Sequence, residues 1–435
     1  MLVPLGLIMV AVSCGFAVAY GTDTRWMQFS HGLQIIVDSR KFQWPLVVLS
    51  LAASIGLLGL SVSGRKRVWW LLGLAPVLAL FAHRFALGPA AGEMSVADNP
   101  PFIAAADARS LRDDDYVVGL TFDDASFAYP YSILFYDPVV ITADHQKRII
   151  LLWSAYANRA TAFTVRHDLR AHDLEIVGTP GNALLVYDGR LGQFINGLRG
   201  QTITNQKPAT FALAVATQTM PWGQWRGLHP DTKVMQLPPN GKSSEAAATP
   251  LTPTCVLPPM KLDHPASMRI AMVGTTQPSA IESDHVGSRP INLRADNQPI
   301  FIYREVPGQP IRGFARRITA ELLPRFVSNT NPQRHPTARF VDVDTNSGWD
   351  AAGRWVDGLK DLKGKKLDPV AVDDNLYWGV MKFWYPDLQL ETPPATLPSE
   401  SIDEENPRDP PTRGRSRSRR GTTTPPTRGT PRGRG

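Results

Sequence analysis

Two His-Asp pairs are the first residues in the chain whose types and spacing suit metal binding. His167-Asp168 and His172-Asp173 begin five residues apart, and imidazole and carboxylate groups are common ligands of zinc and other transition metals. Residues 163–165 and 174–177, which flank them, have the composition of two strands. We therefore expect the charged segment to be an exposed hairpin loop, with metal binding as the alternative.

Acidic runs and cysteines are the other candidates for chemistry. Aspartates occupy positions 113–115 and 123–124, beside predicted strands where solvated turn residues are expected, and acid–base catalysis needs carboxyl groups that converge. Cys14 and Cys255 are the only cysteines, which excludes a disulfide scaffold and a four-cysteine zinc site. Cys255, in a proline-rich stretch, is expected to be a passive surface thiol. We assign no catalytic, cofactor-binding or metal-ligating residue from these patterns.

The positive charge of the chain is concentrated in its C-terminal tail. The 435 residues carry a net charge of +7, but residues 407–435 hold nine arginines and one aspartate, so the rest is close to neutral. Residues 391–435, acidic and then rich in Arg, Pro, Thr and Gly, cannot form a core and are predicted to be disordered. Outside the cytoplasm the tail would meet polyanions such as lipid headgroups or cell-wall polymers. Nucleic acid would be a partner only for a cytoplasmic tail, and a solvated extension without a partner is the alternative.

Three apolar runs near the N-terminus have the length of membrane-spanning helices. Residues 2–20 and 44–62 contain no charged side chain, and residues 68–87 contain only Arg84. Because about 20 apolar residues cross the hydrocarbon core of a bilayer, residues 1–92 are predicted to be a transmembrane region of an inner-membrane, multi-pass protein. A buried helical hairpin in a soluble protein is the alternative.

The first run and the basic loops bear on membrane orientation. Ala17-Val18-Ala19 resembles a signal-peptide cleavage site and the residues before Cys14 faintly resemble a lipoprotein box, but no Lys or Arg precedes the run, so we expect an uncleaved helix. Residues 21–43 carry as many basic residues as the compact segment Arg65-Lys66-Arg67. The density of that segment places it in the cytoplasm by the positive-inside rule, and residues after about Gly88 outside.

From Tyr116 onward the sequence pattern predicts a mainly β fold, with α+β as the alternative. Short β-type runs such as residues 117–122, 149–153 and 184–187 are separated by turns, and long amphipathic segments are scarce. Strands at this spacing favour antiparallel sheets over alternating strands and helices.

A repeated pattern predicts two related β-rich halves, residues 115–236 and 267–390. Trp222-Gly223 precedes Pro230-Asp231 by eight residues, and Trp378-Gly379 precedes Pro386-Asp387 by the same interval. Each tryptophan is expected to be a buried anchor, although chance similarity is the alternative. Residues 237–266 are predicted to be a linker, since seven prolines lie within residues 236–265.

The order of these elements over residues 115–388 resembles the bacterial domain-of-unknown-function family 3179. The most recognisable stretch runs from Trp222 through the His229-Pro230-Asp231 segment to Val234. The other resembling pieces are Val117-Val118-Gly119, Ala128-Tyr129-Pro130, Ile133-Leu134, Leu185-Val186-Tyr187-Asp188, residues 344–350 with Gly353-Arg354, Tyr377-Trp378 and Tyr385-Pro386-Asp387.

The chain departs from that family where its members usually carry Tyr-Cys-x-x-Cys. Trp153-Ser154-Ala155-Tyr156-Ala157 stands there, and Asp137 stands where a histidine is often found. Paired thiols at that spacing would suit redox chemistry or soft-metal ligation, which Ser154 and Ala157 cannot perform. Together with the apolar runs and the basic segment, the missing thiols therefore predict a membrane-anchored extracytoplasmic protein that is a non-catalytic binding or structural module. An enzyme, or a redox or metal accessory protein of the cell envelope with an unidentified site, is the alternative.

Overall fold

The computed structural model describes residues 2–64, 68–87, 93–122, 125–144, 147–203, 214–237, 241–319 and 322–392. The C-terminal tail from residue 393 and the predicted acidic turn at 123–124 lie outside the described residues, so the predicted disorder and polyanion contact of the tail stay predictions. The helices are α1 (Leu2–Tyr20), α2 (Gly32–Lys41), α3 (Gln43–Gly64), α4 (Val68–Ala82), α5 (Tyr131–Leu134), α6 (Trp222–Leu228) and α7 (Trp378–Trp384).

Helices α1, α3 and α4 form an apolar three-helix bundle. By length and composition α1 and α3 are suited to crossing a membrane, whereas α4 is shorter and continues into a π-helical turn, His83–Leu87. Ala11, Ala53 and Val77 meet at the centre of the bundle, and the Ser50 hydroxyl donates to the Ala11 carbonyl at 2.7 Å. Small residues allow this close approach.

One end of the bundle contacts the β-rich region. The rings of Tyr20 and His83 lie 4.7 Å apart, and Arg84 donates to the Gln43 side chain at 3.4 Å, so α1 ends, α3 begins and α4 ends on the same side. The short amphipathic helix α2, which the sequence did not predict, packs Ile36 and Val37 against β-rich residues.

Twenty-five strands follow within the described ranges. They are β1 (Val96–Asp98), β2 (Phe102–Ala104), β3 (Tyr116–Phe122), β4 (Ala125–Pro130), β5 (Val139–Asp144), β6 (Lys147–Ser154), β7 (Arg159–Val165), β8 (Leu174–Gly178), β9 (Leu185–Asp188), β10 (Gln193–Asn196), β11 (Gln201–Thr202), β12 (Ala214–Val215), β13 (Thr217–Pro221), β14 (Lys233–Met235), β15 (Arg269–Val273), β16 (Ser279–Glu282), β17 (Ile291–Ala295), β18 (Gln298–Tyr303), β19 (Arg312–Ala315), β20 (Phe326–Ser328), β21 (Phe340–Asp342), β22 (Gly348–Trp349), β23 (Trp355–Asp357), β24 (Pro369–Val370) and β25 (Asp373–Tyr377). The predicted β-rich region is confirmed.

The strands before residue 236 form three sheets that stack on one another. Their orders are β13-β3-β4-β14-β2, β1-β5-β6-β7-β12 and β11-β10-β9-β8. The middle sheet is covered on both faces: Leu151 and Trp153 of β6 face the first sheet, while Ile150 and Leu152 face the third. A strand buried on both faces requires a continuous apolar run, which explains residues 149–153.

The strands after residue 266 repeat this arrangement. The sheet orders are β25-β15-β16, β17-β18-β19-β24 and β20-β21-β22-β23, and each strand has a counterpart at the same place in the first set. In both sets a hairpin is followed by a three-stranded and then a four-stranded meander, and the chain returns to pair with the first strand of the hairpin.

The two Trp-Gly pairs begin the helices that close the two sets. The backbone N–H of Trp222 donates to the Asp115 carbonyl at 2.7 Å, and that of Trp378 donates to the Met268 carbonyl at 3.0 Å. Asp115 and Met268 each immediately precede the first strand of a hairpin. Both tryptophan side chains are fully buried.

The proline-rich segment between the two sets contacts the first set. Within residues 241–266 the Ser244 N–H donates to the Ser132 carbonyl at 2.9 Å, and the Ala248 carbonyl accepts from the Tyr116 N–H at 2.7 Å. Asn182 accepts from the Cys255 N–H at 2.8 Å. The segment lies along the first set, and within residues 241–266 its one helical element is the 3-10 turn Glu245–Ala247.

Candidate functional site

The end of β6, where the sequence lacks the expected thiols, is tightly filled. Ser154 and Ala157 are both fully buried. The Ser154 hydroxyl oxygen accepts from the Leu184 N–H at 3.0 Å, and Ala157 packs into the apolar cluster that contains Trp378. Ser154 therefore supports packing within the first half, whereas Ala157 supports packing between the halves.

Asp137 lies beside this strand end. The Pro138 carbonyl accepts from the Trp153 N–H at 2.8 Å, which brings Asp137, just before β5, close to Ser154 at the end of β6. Asp137 is buried and its carboxylate accepts from the Ser95 hydroxyl. Burial raises the pKa of this carboxyl, and the hydroxyl partly opposes that rise.

A buried ion pair that the sequence did not predict lies at the start of the next strand. Arg159 donates from Nε to the Asp373 carboxylate at 2.9 Å, and from its two terminal nitrogens to the Tyr385 hydroxyl at 2.6 Å and the Gly274 carbonyl at 2.9 Å. The Arg159 side chain is 1% exposed and the Asp373 side chain 10%. We call Arg159, Asp373 and Tyr385 the central polar cluster; it joins the first half to the second.

The electrostatics of this cluster favour a structural role. Burial raises the pKa of the Asp373 carboxyl, and the Arg159 guanidinium opposes that rise. Burial also raises the pKa of the Tyr385 phenol, which stays neutral and donates to the Leu198 carbonyl at 3.0 Å. Every group thus has a hydrogen-bond partner.

A second set of polar contacts extends the cluster along the boundary between the halves. Tyr131 donates to the Asn158 side chain at 2.8 Å, and Asn158 donates to the Asp374 carbonyl at 3.3 Å. The Asp374 carboxylate accepts from Ser283 at 2.8 Å and from Arg304 at 2.6 Å. The boundary thus combines these hydrogen bonds with the apolar cluster that contains Ala157 and Trp378.

The residues that build this boundary lie in a part of the chain that matches a known protein family. The profile of a family described as protein of unknown function DUF3179 matches residues 94–388. The chain belongs to this family. No curated protein and no solved structure matches the chain.

The DUF3179 match begins before Asp115, the start of the predicted resemblance. Strand β1 pairs with β5 in parallel, and β2 pairs with β14, so the residues before β3 complete two sheets of the first half. Asp137, Ser154 and Ala157, the positions at which the sequence resemblance predicts a departure from other members, all lie within the matched residues.

The two His-Asp pairs do not converge on a metal site. His172 is 82% exposed, and the Asp168 carboxylate accepts from Arg166 and Arg190, which hold its pKa below the ordinary value. The expected hairpin is wrong: β7 and β8 belong to different sheets, because the segment crosses from the middle layer to the third. Over the described ranges, no group of three His, Cys, Asp or Glu side chains is placed to hold a metal ion.

Asp115 and Cys255 are less exposed than expected, whereas Asp113 and Asp114 are exposed turn residues as predicted. Asp115 is buried and accepts from Arg112 through its backbone and its guanidinium, so it stabilises the turn before β3. Cys255 is half-buried, and its thiol donates to the Thr24 carbonyl at 3.4 Å. Burial raises the pKa of this thiol, which lowers its reactivity.

One further His-Asp pair was missed by the sequence analysis. His335 Nδ1 lies 2.6 Å from the Asp357 carboxylate, 22 residues away in sequence. His335 is buried, and its Nε2 has no hydrogen-bond partner in the described part of the chain. The nearby Ser347 hydroxyl is engaged with Thr345 and the Leu359 N–H. This arrangement stabilises a turn of the second half.

Proposed function

We propose that this protein is a multi-pass protein of the inner (cell) membrane whose β-rich region lies outside the cytoplasm and acts as a non-catalytic binding or structural module. The observation that carries the proposal is the exposed apolar surface of the helical bundle.

Large apolar side chains cover the outer faces of α1 and α3. Leu2 is 85% exposed, Val48 66% and Ile55 68%. Exposing such a continuous apolar surface to water costs about 25 cal/mol of free energy per Å², and soluble monomers rarely have one. Lipid chains would cover it at no such cost, which supports membrane insertion over a buried hairpin.

The direction of the chain through the bundle supports the orientation. The β-rich region contacts the end that carries residues 21–43. Helix α3 ends and α4 begins at the other end, on either side of Arg65-Lys66-Arg67. If that basic segment stays in the cytoplasm, the β-rich region is outside it.

The packing of the β6 end supports a non-catalytic role. Ser154 and Ala157 are fully buried, and the serine hydroxyl is used by a backbone N–H. A nucleophile or metal ligand must reach its substrate or ion, so this position favours a binding or structural role over redox or metal chemistry.

We also infer that the two halves descend from one repeated unit. Their strand orders correspond, and Arg226 and Lys382, each four residues after its tryptophan, lie 5.7 Å and 5.6 Å from the centres of the Trp222 and Trp378 rings. The halves as predicted from the sequence, residues 115–236 and 267–390, are the units that we propose.

A single substitution in α3 tests whether lipid or water surrounds this helix. Ile55 lies near the middle of α3, so Ile55→Asp would place a charge in the bilayer centre, at a cost of about 2.5–3.5 kcal/mol on insertion scales. We expect the full-length wild-type chain to remain in membranes after alkaline carbonate extraction and the variant to be largely lost from them.

Val256→Asp is the matched control, because Val256 is 69% exposed but lies in the proline-rich segment. It should be retained like the wild type. Release of the wild-type chain by carbonate, or equal retention of Ile55→Asp and wild type, would contradict membrane anchoring.

A further inference from the structure

A cleft of about 450 Å³ lies where the helical bundle meets the β-rich region. Its polar lining comes from Thr22 and Arg40 on the segment between α1 and α3, from Arg84 in the turn after α4, and from His172 and Glu175 around the start of β8. The bundle and the first β half therefore build it together.

The cleft holds more positive than negative charge. Arg40 and Glu175 form an ion pair in which Arg40 Nε donates to the carboxylate at 3.0 Å. The Arg40 side chain is only 15% exposed and lies over the Tyr187 ring at 4.8 Å. Among the described residues of the lining, one carboxylate thus faces two guanidinium groups: Arg40 binds Glu175 closely, and Arg84 reaches the same carboxylate only at 3.7 Å.

Among the residues that the structure describes, Arg84 has only weak polar partners. Its side chain is 14% exposed, yet its polar contacts there are the Gln43 amide oxygen at 3.4 Å and the Glu175 carboxylate at 3.7 Å. Its Nε is buried without a hydrogen-bond partner among the residues that the structure describes. A largely buried guanidinium is unfavourable without a close anionic partner, so an anion that enters the cleft would stabilise Arg84.

We propose that this cleft binds a phosphate group through Arg84, with the phosphodiester of an anionic phospholipid headgroup as its source. A guanidinium presents paired N–H donors that match phosphate oxygens. The cleft lies at the end of the apolar helices, which is the depth of lipid headgroups if the bundle spans the membrane. The lipid source thus rests on the proposed membrane anchoring.

The test compares the full-length protein in nanodiscs of phosphatidylcholine alone and of phosphatidylcholine with phosphatidylglycerol. We expect phosphatidylglycerol to raise the unfolding midpoint of the wild type. Arg84→Gln should lose most of this rise, and the affinity for phosphatidylglycerol measured by titration should fall at least about tenfold, as for the loss of a charge-assisted hydrogen bond.

Arg316→Gln is the matched control. Arg316 is also partly buried, and its Nε likewise lacks a hydrogen-bond partner within the described ranges, but it belongs to the second half and donates to the Pro324 carbonyl. Its response to phosphatidylglycerol should equal that of the wild type. An equal response of wild type and Arg84→Gln would overturn the proposal.

Two further measurements distinguish an error in the proposed source of the phosphate from an error in the proposed membrane anchoring. If inorganic phosphate protects the wild type in detergent, in an Arg84-dependent way, and phosphatidylglycerol does not, the lipid source is overturned. If the protein enters neither nanodisc, membrane anchoring fails. The cleft is then judged by inorganic phosphate alone: Arg84-dependent protection supports a phosphate site, and no protection overturns it.

Discussion

Replacing Arg159 with methionine is expected to destabilise the protein by about 3–5 kcal/mol, because removing one partner of a buried ion pair leaves the other charge uncompensated. Arg159 is 1% exposed and bridges three groups of the second half: Asp373, Gly274 and Tyr385. Chemical denaturation of the purified full-length chain measures the loss.

A double-mutant cycle separates the pair from the packing around it. Asp373→Leu alone should also be strongly destabilising, whereas Arg159→Met with Asp373→Leu should cost less than the sum of the two, because no lone charge remains.

Arg166→Met serves as the control, since Arg166 pairs with Asp168 at 2.6 Å but both side chains are more than half exposed. It should have little effect. Similar losses for Arg159→Met and Arg166→Met would contradict the structural role of the central polar cluster.

Truncating either repeated tryptophan is expected to cost about 3–5 kcal/mol, the range for removing a large buried ring. Trp222 and Trp378 are fully buried at corresponding positions, and each packs its helix against the first sheet of its half. Trp222→Ala and Trp378→Ala should therefore give similar losses in the free energy of unfolding.

Two controls keep this comparison specific. Trp355→Ala removes a partly exposed ring and should cost less. Trp222→Phe should also cost less than Trp222→Ala, because it retains an aromatic ring and because the Trp222 Nε1 has no hydrogen-bond partner in the part of the chain described. A loss at only one of the two tryptophans would contradict their equivalence.

The local features of the fold were predictable because neighbouring residues set them. The uncharged runs at 2–20 and 44–62 predicted α1 and α3, and the apolar run at 149–153 predicted a strand that is indeed buried on both faces. Helix α2 was not predicted, because it is short and its few apolar residues are interspersed with polar ones. Its apolar side chains are buried only through packing against the β-rich region.

The site depends on contacts that sequence spacing does not encode. Arg159 and Asp373 lie 214 residues apart, and nothing in either neighbourhood indicates a shared partner. Asp137 and Ser154 were both singled out, but their adjacency follows from the pairing of β5 with β6. The strand-like residues on either side of 166–173 predict a hairpin, but β7 and β8 belong to different sheets, a distinction that local sequence does not encode.

The most direct test of a membrane-anchored extracytoplasmic module is to determine on which side of the membrane each end of the helical bundle lies. A reporter that fluoresces only in the cytoplasm would be fused after Gly435 in one full-length chain and inserted between Gly64 and Arg65 in another. We expect a dark C-terminal fusion and a bright insertion, because Arg65-Lys66-Arg67 should stay inside. A bright C-terminal fusion would contradict it and place the β-rich region in the cytoplasm.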